Sequence, residues 1–364
     1  MGTTSRFGIS YPELSASPDG PSQMQTLANT VDTALGSAVD DVAGLTSGIS
    51  DLLWNGCYQA NQRELSSYTA SAASGKYTFD GWYLYSGTGA ANTITVSAET
   101  AGAYPDHERY RADWNRTTAG SADSYYEHRV EDVRRASGAT ITVAILADVA
   151  SSTADLKVEV VQNFGTGGSP STAVVTTSTA ISVTTSLTAQ YVTIAVPSVG
   201  GKTLGSNNDH YIAVRLTRQS GYGTGTIRLH RVSAIMGSAH VFADKRPAAQ
   251  VRAIAQRYYY QLGPYGALAP LGSGECRSTT EADFHILLPV KMRTAPSVTF
   301  SAVNDFRVAS GAVGFNSTAM ALSIASVDAV KISVTTSGMT TGRAATLDND
   351  QDTTNGAIYV SAEL

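Results

Sequence analysis

Between Thr93 and Leu229 apolar residues return at every second position, and this period constrains the fold more than any other feature of the chain. The runs are Thr93 to Ala98, Ile141/Val143/Ile145, Leu156/Val158/Val160, Val192/Ile194/Val196, Ile212/Val214/Leu216 and Ile227/Leu229. Successive side chains of a strand point to opposite faces, so a period of two buries one face and wets the other. The alternate positions carry Thr, Lys, Glu and Arg, and Gly/Ser/Asn-rich turns such as Gly165 to Pro170 and Gly200 to Asn208 separate the runs. One-sided strands joined by turns predict antiparallel sheets stacked face to face. Composition agrees, because charged residues are 15%, below the roughly 25% of ordinary soluble domains, and Gly, Ser, Thr and Tyr fill the difference.

Two other periods flank this region. Residues 1–20 carry Tyr11-Pro12 and Ser17-Pro18-Asp19-Gly20, which suit neither a regular helix nor a central strand, so an extended attachment arm is expected. Pro21 suits the first turn of a helix, and Met24, Ala28, Val31, Leu35, Ala38, Val42, Leu45, Ile49 and Leu52 then recur at steps of four and three. Such a narrow seam predicts an oligomerising coiled coil over 21–53, and its mixture of side chains does not choose between two strands and three. Gly36, Gly44 and Gly48 each cost about 1 kcal/mol relative to Ala, so the bundle leans on the domains behind it. The period of two fills 54–242, a length that suits a jelly roll. A connector helix is expected in 243–257, with Val251, Ile254 and Ala255 on one face, and a smaller sandwich over 258–364, from Phe284/Ile286, Val298/Phe300, Val330/Ile332/Val334 and Ile358/Val360. The expected fold class is therefore all-β: an N-terminal arm and coiled-coil helix followed by two antiparallel β-sandwich domains, the first jelly-roll-like and the second smaller.

Lys+Arg 25 against Asp+Glu 30 gives 25 − 30 = −5, so no chain-wide positive field exists to hold nucleic acid or an anionic membrane. No stretch approaches 18 apolar residues and Met1 to Gly20 lacks the layout of a signal peptide, which predicts synthesis in a cytoplasm without membrane insertion. Cys57 and Cys276 are too few and too distant in sequence for a zinc site of their own.

Catalytic patterns are weak. No Gly-x-Ser-x-Gly elbow is present, and the six histidines (107, 128, 210, 230, 240, 285) are scattered. A glycosidase needs two carboxylates across a cleft, and Asp106/Glu108, Asp113, Glu127 and Glu131/Asp132 offer no spacing that singles out a pair. His107 between Asp106 and Glu108, and Asp209-His210, lack a third metal ligand nearby. Asp348, Asp350 and Asp352 alternate as a hard cation would want, but Thr353 and Tyr359 stand where an EF-hand needs Gly and Glu, so a solvated loop is favoured. No catalytic residue, metal or cofactor is expected.

The aromatics say more. All three Trp (54, 82, 114) lie in the first third, with tyrosines crowded near two of them. A row of Tyr, Trp, Asp and Arg on a wet sheet face suits a sugar, with rings against its C–H face and polar groups on its hydroxyls. Tyr83, Tyr85, Trp114, Tyr125 and Tyr126 are the candidate glycan-binding residues, with a core role for Trp114 and strand-forming roles for the tyrosines as the alternative.

The opener Tyr11-Pro12 and Ser17-Pro18-Asp19-Gly20-Pro21, ahead of Leu27-Ala28-Asn29-x-Val31-Asp32, resembles the start of minor tail proteins of actinobacterial tailed phages. Trp54-Asn55-Gly56-Cys57-Tyr58-Gln59 followed by Phe79-Asp80-Gly81-Trp82-Tyr83 resembles the opening of carbohydrate-binding-like jelly rolls in phage tail fibres. Arg257-Tyr258-Tyr259-Tyr260, Leu288-Pro289-Val290-Lys291-Met292-Arg293-x-Ala295-Pro296 and Ser361-Ala362-Glu363-Leu364 are similar to the C-terminal domain of such fibres. Lys245-Arg246-Pro247-Ala248-Ala249 departs from the acidic connector-helix start usual there. The resemblance implies a tail fibre or minor tail protein of the virion that attaches to host-surface glycan, is assembled in the host cytoplasm as a homotrimer, and meets other virion proteins through its arm. A hydrolytic tail spike, and a purely structural fibre or head decoration, stay open beside it.

Overall fold

A computed structural model describes residues 51–99, 110–221, 223–243, 246–350 and 356–364, together with the backbone of two short strands near the N-terminus. Those strands, β1 (Gly2–Thr3) and β2 (Ser10–Tyr11), pair antiparallel with one another. The described remainder is all-β apart from one α-helix and short 3₁₀ turns.

The first sheet pair faces a single core. One sheet runs in the order β11 (Val174–Thr177), β10 (Ala154–Asn163), β14 (Tyr211–Arg218), β8 (Ser124–Glu131), β5 (Trp82–Ser86) and β4 (Ser74–Tyr77), with β12 (Ile181–Val183) also on β10. The other runs β13 (Thr188–Ala195), β9 (Thr140–Val149), β15 (Gly225–Met236), β7 (Tyr110–Thr118), β6 (Ala91–Ala98) and β3 (Ser67–Ser71). Every pairing is antiparallel, as the one-sided alternation requires. Leu84, Val158, Val160 and Leu216 from the first sheet meet Ile94, Val143, Ile145 and Ile227 from the second. Trp82 is the centre, fully buried, stacked on Tyr126 at 4.7 Å and donating its indole N–H to the Asn55 carbonyl at 2.9 Å. Fully buried His128 packs edge-on to Trp54 and Trp82, and its burial holds it neutral, with the pKa lowered to about 3. At one end Arg116 and Arg218 turn inward and donate to the carbonyls of Gly223, Gly225 and Gln219, fixing the β14–β15 turn.

The second sheet pair has its own core. A seven-stranded sheet, β21 (Val313–Asn316), β20 (Phe306–Ser310), β24 (Ala344–Asn349), β17 (Pro270–Cys276), β18 (Glu281–Leu287), β23 (Ala329–Thr335) and β22 (Ala319–Ala325), packs on a three-stranded one, β16 (Tyr259–Leu262), β25 (Ile358–Ser361) and β19 (Ser297–Phe300). Phe284, Ile286, Val330, Ile332, Val334, Ile358 and Val360 enter this core together with Cys276. The helix α1 (Ala248–Gln256) lies between the two in sequence, and Val251 and Ala255, with Ile254, pack against Trp54, Ala60 and Tyr258.

Two expectations need amendment. The seam residues Met24, Val31, Leu35, Val42, Leu45 and Ile49 lie outside the described residues. Leu52 lies within them, and it is not helical: its N–H donates to the Ala234 carbonyl at 2.8 Å and its side chain packs on the first core. A sheet edge and an apolar core already claim that residue, so the seam cannot extend through it. Trp114 and Tyr126 are fully buried, which removes both from any surface site. In β7 Trp114 shares a face with Ala112, and in β8 Tyr126 shares one with Val130, so the two-residue period turns them inward.

Candidate functional site

The outward face of the β4–β5–β8–β14–β10 sheet gathers the remaining candidates. Register sets the outward side chains in rows that cross the strands. One row is Gly75, Tyr85, Tyr125, Thr217 and Lys157. The next is Tyr77, Tyr83, Glu127, Arg215, Glu159 and Thr177. Beyond it come Arg129, Ala213 and Val161, then Glu131, Tyr211 and Asn163.

Glu127 anchors the face. Its carboxylate accepts from Arg129 Nε at 2.8 Å and Arg215 Nε at 2.7 Å, and the carboxylate is fully buried beneath them. Glu159 accepts from Thr217 at 2.8 Å and Thr177 at 3.1 Å. Both acids thus hold donors in place, an arrangement that positions side chains. The tyrosines lie against this network. Tyr85 and Tyr125 stack at 4.8 Å, and the Arg215 guanidinium lies 3.8 Å from the Tyr125 ring centre. Tyr85 and Arg215 come from strands on opposite sides of β8, so both faces of Tyr125 are covered and it shows its edge and hydroxyl. Tyr83 packs under Arg129, whose guanidinium is 4.0 Å from its ring centre, and its hydroxyl end reaches over Gly75. A Cβ at Gly75 would come within 2.2 Å of the Tyr83 oxygen, so a larger residue there would have to displace the end of the Tyr83 ring. The hydroxyls of Tyr83, Tyr85 and Tyr125 and the Lys157 ammonium have no partner among the described residues, so each can bond a ligand. The expected ring-face stacking is replaced by edge-on hydroxyls, because the rings stack on each other and on arginines.

Spacing along the chain could not disclose Glu127, Arg129, Lys157, Glu159, Arg215 and Thr217 as one group, since their strands are far apart in sequence. The signal present was parity: Lys157, Glu159, Arg215 and Thr217 occupy the polar positions of the Leu156/Val158/Val160 and Ile212/Val214/Leu216 runs.

Other candidates separate. On the second sheet His230 bridges Glu99 at 2.5 Å and Asp148 at 3.0 Å through different ring nitrogens, so these acids cannot share one metal with it. Asp209 bonds Thr166, and the His210 ring accepts from the Val133 N–H at 3.4 Å. Asp348 accepts from Arg307 at 3.4 Å and Asp350 from Asn316 at 3.0 Å, while Asp352, like Asp106, His107 and Glu108, lies outside the described residues. Among the described residues no cluster of three or more His, Cys, Asp or Glu is placed to hold a metal.

Residues 76–232 match the model of a domain of unknown function, DUF7846. No curated protein matches the chain. Among solved structures, a family 11 carbohydrate-binding module of Clostridium thermocellum is 12% identical, with 47% of this chain and 100% of that one covered at a TM-score of 0.31. A xylan-binding domain from Paenibacillus barcinonensis is 16% identical over 47% of this chain and 94% of that one, TM-score 0.28. The enzymatically active domain of tailspike protein 4 of bacteriophage CBA120 is 14% identical over 51% of this chain and 21% of that one, TM-score 0.30. Likeness at this level passes no ligand or activity to this chain.

Proposed function

We propose that the chain is a receptor-binding component of a phage tail, a fibre or minor tail protein, and that it binds host-surface glycan without hydrolysing it. The observation that carries the binding reading is the set of three unpartnered tyrosine hydroxyls and one lysine, held in adjacent rows over a rigid Glu127–Arg129–Arg215 network. Such a surface offers fixed donors and acceptors to hydroxyl-rich ligands at little cost in side-chain ordering. The sequence resemblance supports the virion context, the arm and the two-sandwich layout. Residues 21–50 are proposed to gather three copies, whose shared stalk would raise the apparent affinity of weak sites about 10²- to 10⁴-fold. Light scattering of the full chain tests the assembly, and a monomer contradicts it.

The triple change Tyr83→Phe, Tyr85→Phe and Tyr125→Phe keeps every ring and removes every free hydroxyl. If each hydroxyl makes one ligand hydrogen bond worth about 0.5–1.5 kcal/mol, binding to isolated actinobacterial cell-wall glycan falls about tenfold or more, with melting almost unchanged. Full binding by the triple variant would remove this face from the account.

A further inference from the structure

The second sheet pair does not stand clear of this face. The Leu364 carbonyl accepts from the Tyr77 hydroxyl and Arg129 Nη1, and the Leu364 side chain packs on Val161, Tyr211 and Ala213. The same edge is closed further along by Arg257, which donates to Glu131 at 2.9 Å, and by Arg293, which reaches the Asn208 carbonyl at 3.0 Å. The rows of Arg129/Ala213/Val161 and Glu131/Tyr211/Asn163 are therefore occupied. The rows of Tyr85/Tyr125/Lys157 and Tyr83/Arg215/Glu159 remain open, and Leu364 stands at their border.

Resting on the glycan-binding reading, we propose that Leu364 and the chain around it form a wall that makes the site selective for unbranched glycans lying across the strands. Rows two residues apart lie about 6.7 Å from one another, and five strands span about 19 Å, so the open strip suits a single file of roughly four linked pyranoses. A chain in that strip turns one edge to the Tyr85/Tyr125 row and the other to Leu364. A branch on the first edge points out over the sheet margin. One on the second edge meets the Leu364 side chain and a carbonyl already bonded to Tyr77 and Arg129. Rejecting it means breaking no favourable contact with the linear chain, so selectivity arises from steric exclusion alone.

The test uses the full chain and two glycan pairs: linear xylan oligosaccharides against arabinose-branched ones, and linear mannan oligosaccharides against galactose-branched ones, each measured by calorimetry. The wall predicts about tenfold or more preference for the linear member of a pair that binds, and a fall below about threefold in Leu364→Ala, with affinity for the linear member retained. Because Leu364→Ala could loosen the contact between the sheet pairs, Tyr77→Phe is the second variant, since it removes one of the two donors that fix the Leu364 carbonyl and should also lower the preference. Equal binding of linear and branched members by the unmodified chain overturns the wall while leaving glycan binding intact. Loss of preference in neither variant overturns it as well. Absence of binding to every member overturns the inference, and the glycan reading falls with it only when isolated actinobacterial cell-wall glycan is not bound either.

Discussion

Replacing Arg63 with methionine is expected to destabilise the folded chain by about 3–5 kcal/mol near neutral pH, the usual cost of removing one partner from a buried ion pair. Arg63 sits between the two sheet pairs. It donates to Glu363 at 2.5 Å and to Asp80 at 3.4 Å, and lies over the Tyr259 ring at 3.8 Å. Both acids are largely withdrawn from water: Asp80 is 1% exposed and the Glu363 side chain 11%, with one Glu363 oxygen buried and without a hydrogen-bond partner. Burial pushes the Glu363 carboxyl up from 4.5 to about 7, with Arg63 opposing the rise and Asp80 adding to it, and burial raises Asp80 too. A carboxyl with a raised folded pKa binds its proton more tightly when folded, so its favourable contribution is complete below about 4.5 and is lost as pH rises through about 7. Without the guanidinium the folded value rises further. The variant should therefore lose most stability at pH 8 and recover much of it at pH 5, where Glu363 is protonated. Urea midpoints at the two pH values measure this, and a loss equal at both would show that the cluster carries no such coupling.

Trp82→Ala is the second large effect, also about 3–5 kcal/mol. The change empties the middle of the first core, where Trp82 touches the rings of Tyr126, Tyr58 and His128 at 4.7, 5.3 and 5.2 Å. It also removes one of the two donors to the Asn55 carbonyl, which accepts the Trp82 indole N–H at 2.9 Å and the Tyr58 N–H at 3.2 Å. Partial collapse around the cavity sets where in that range the value falls. Denaturant unfolding gives the measurement, and a loss below about 1 kcal/mol would mean that the aromatic cluster does not hold the two sheets together.

The strands were legible because each buries one face, and period two records that directly: Ile141, Val143 and Ile145 all lie in the core. The inward turn of Trp114 and Tyr126 was legible by the same rule, through their parity with Ala112 and Val130, although residue type suggested a sugar platform. In β8 the neighbouring Tyr125 and Tyr126 must face opposite ways, and only one can meet a ligand. What no local pattern carries is the register between strands. Glu127, Arg215 and Glu159 become neighbours only when β8, β14 and β10 align, and the mutual stacking of Tyr85, Tyr125 and Arg215 results from that alignment. The junction of Arg63, Asp80 and Glu363 is more remote still, joining residues near opposite ends of the described chain. Leu52 shows the converse, a residue whose heptad spacing was outweighed by a nearby core and a free carbonyl at Ala234.

Hydroxyl-radical footprinting of the full chain, with and without soluble actinobacterial cell-wall glycan, separates binding on this face from binding elsewhere, because accessible tyrosines lie both on the proposed face and away from it. Tyr265 is 48% exposed and Tyr191 stacks on exposed His240, which makes both suitable controls. Glycan bound across this face is expected to protect Tyr83, Tyr85 and Tyr125, with Tyr191 and Tyr265 oxidised as before. Protection at Tyr191 or Tyr265 with none at the three face tyrosines would place binding elsewhere and contradict the account.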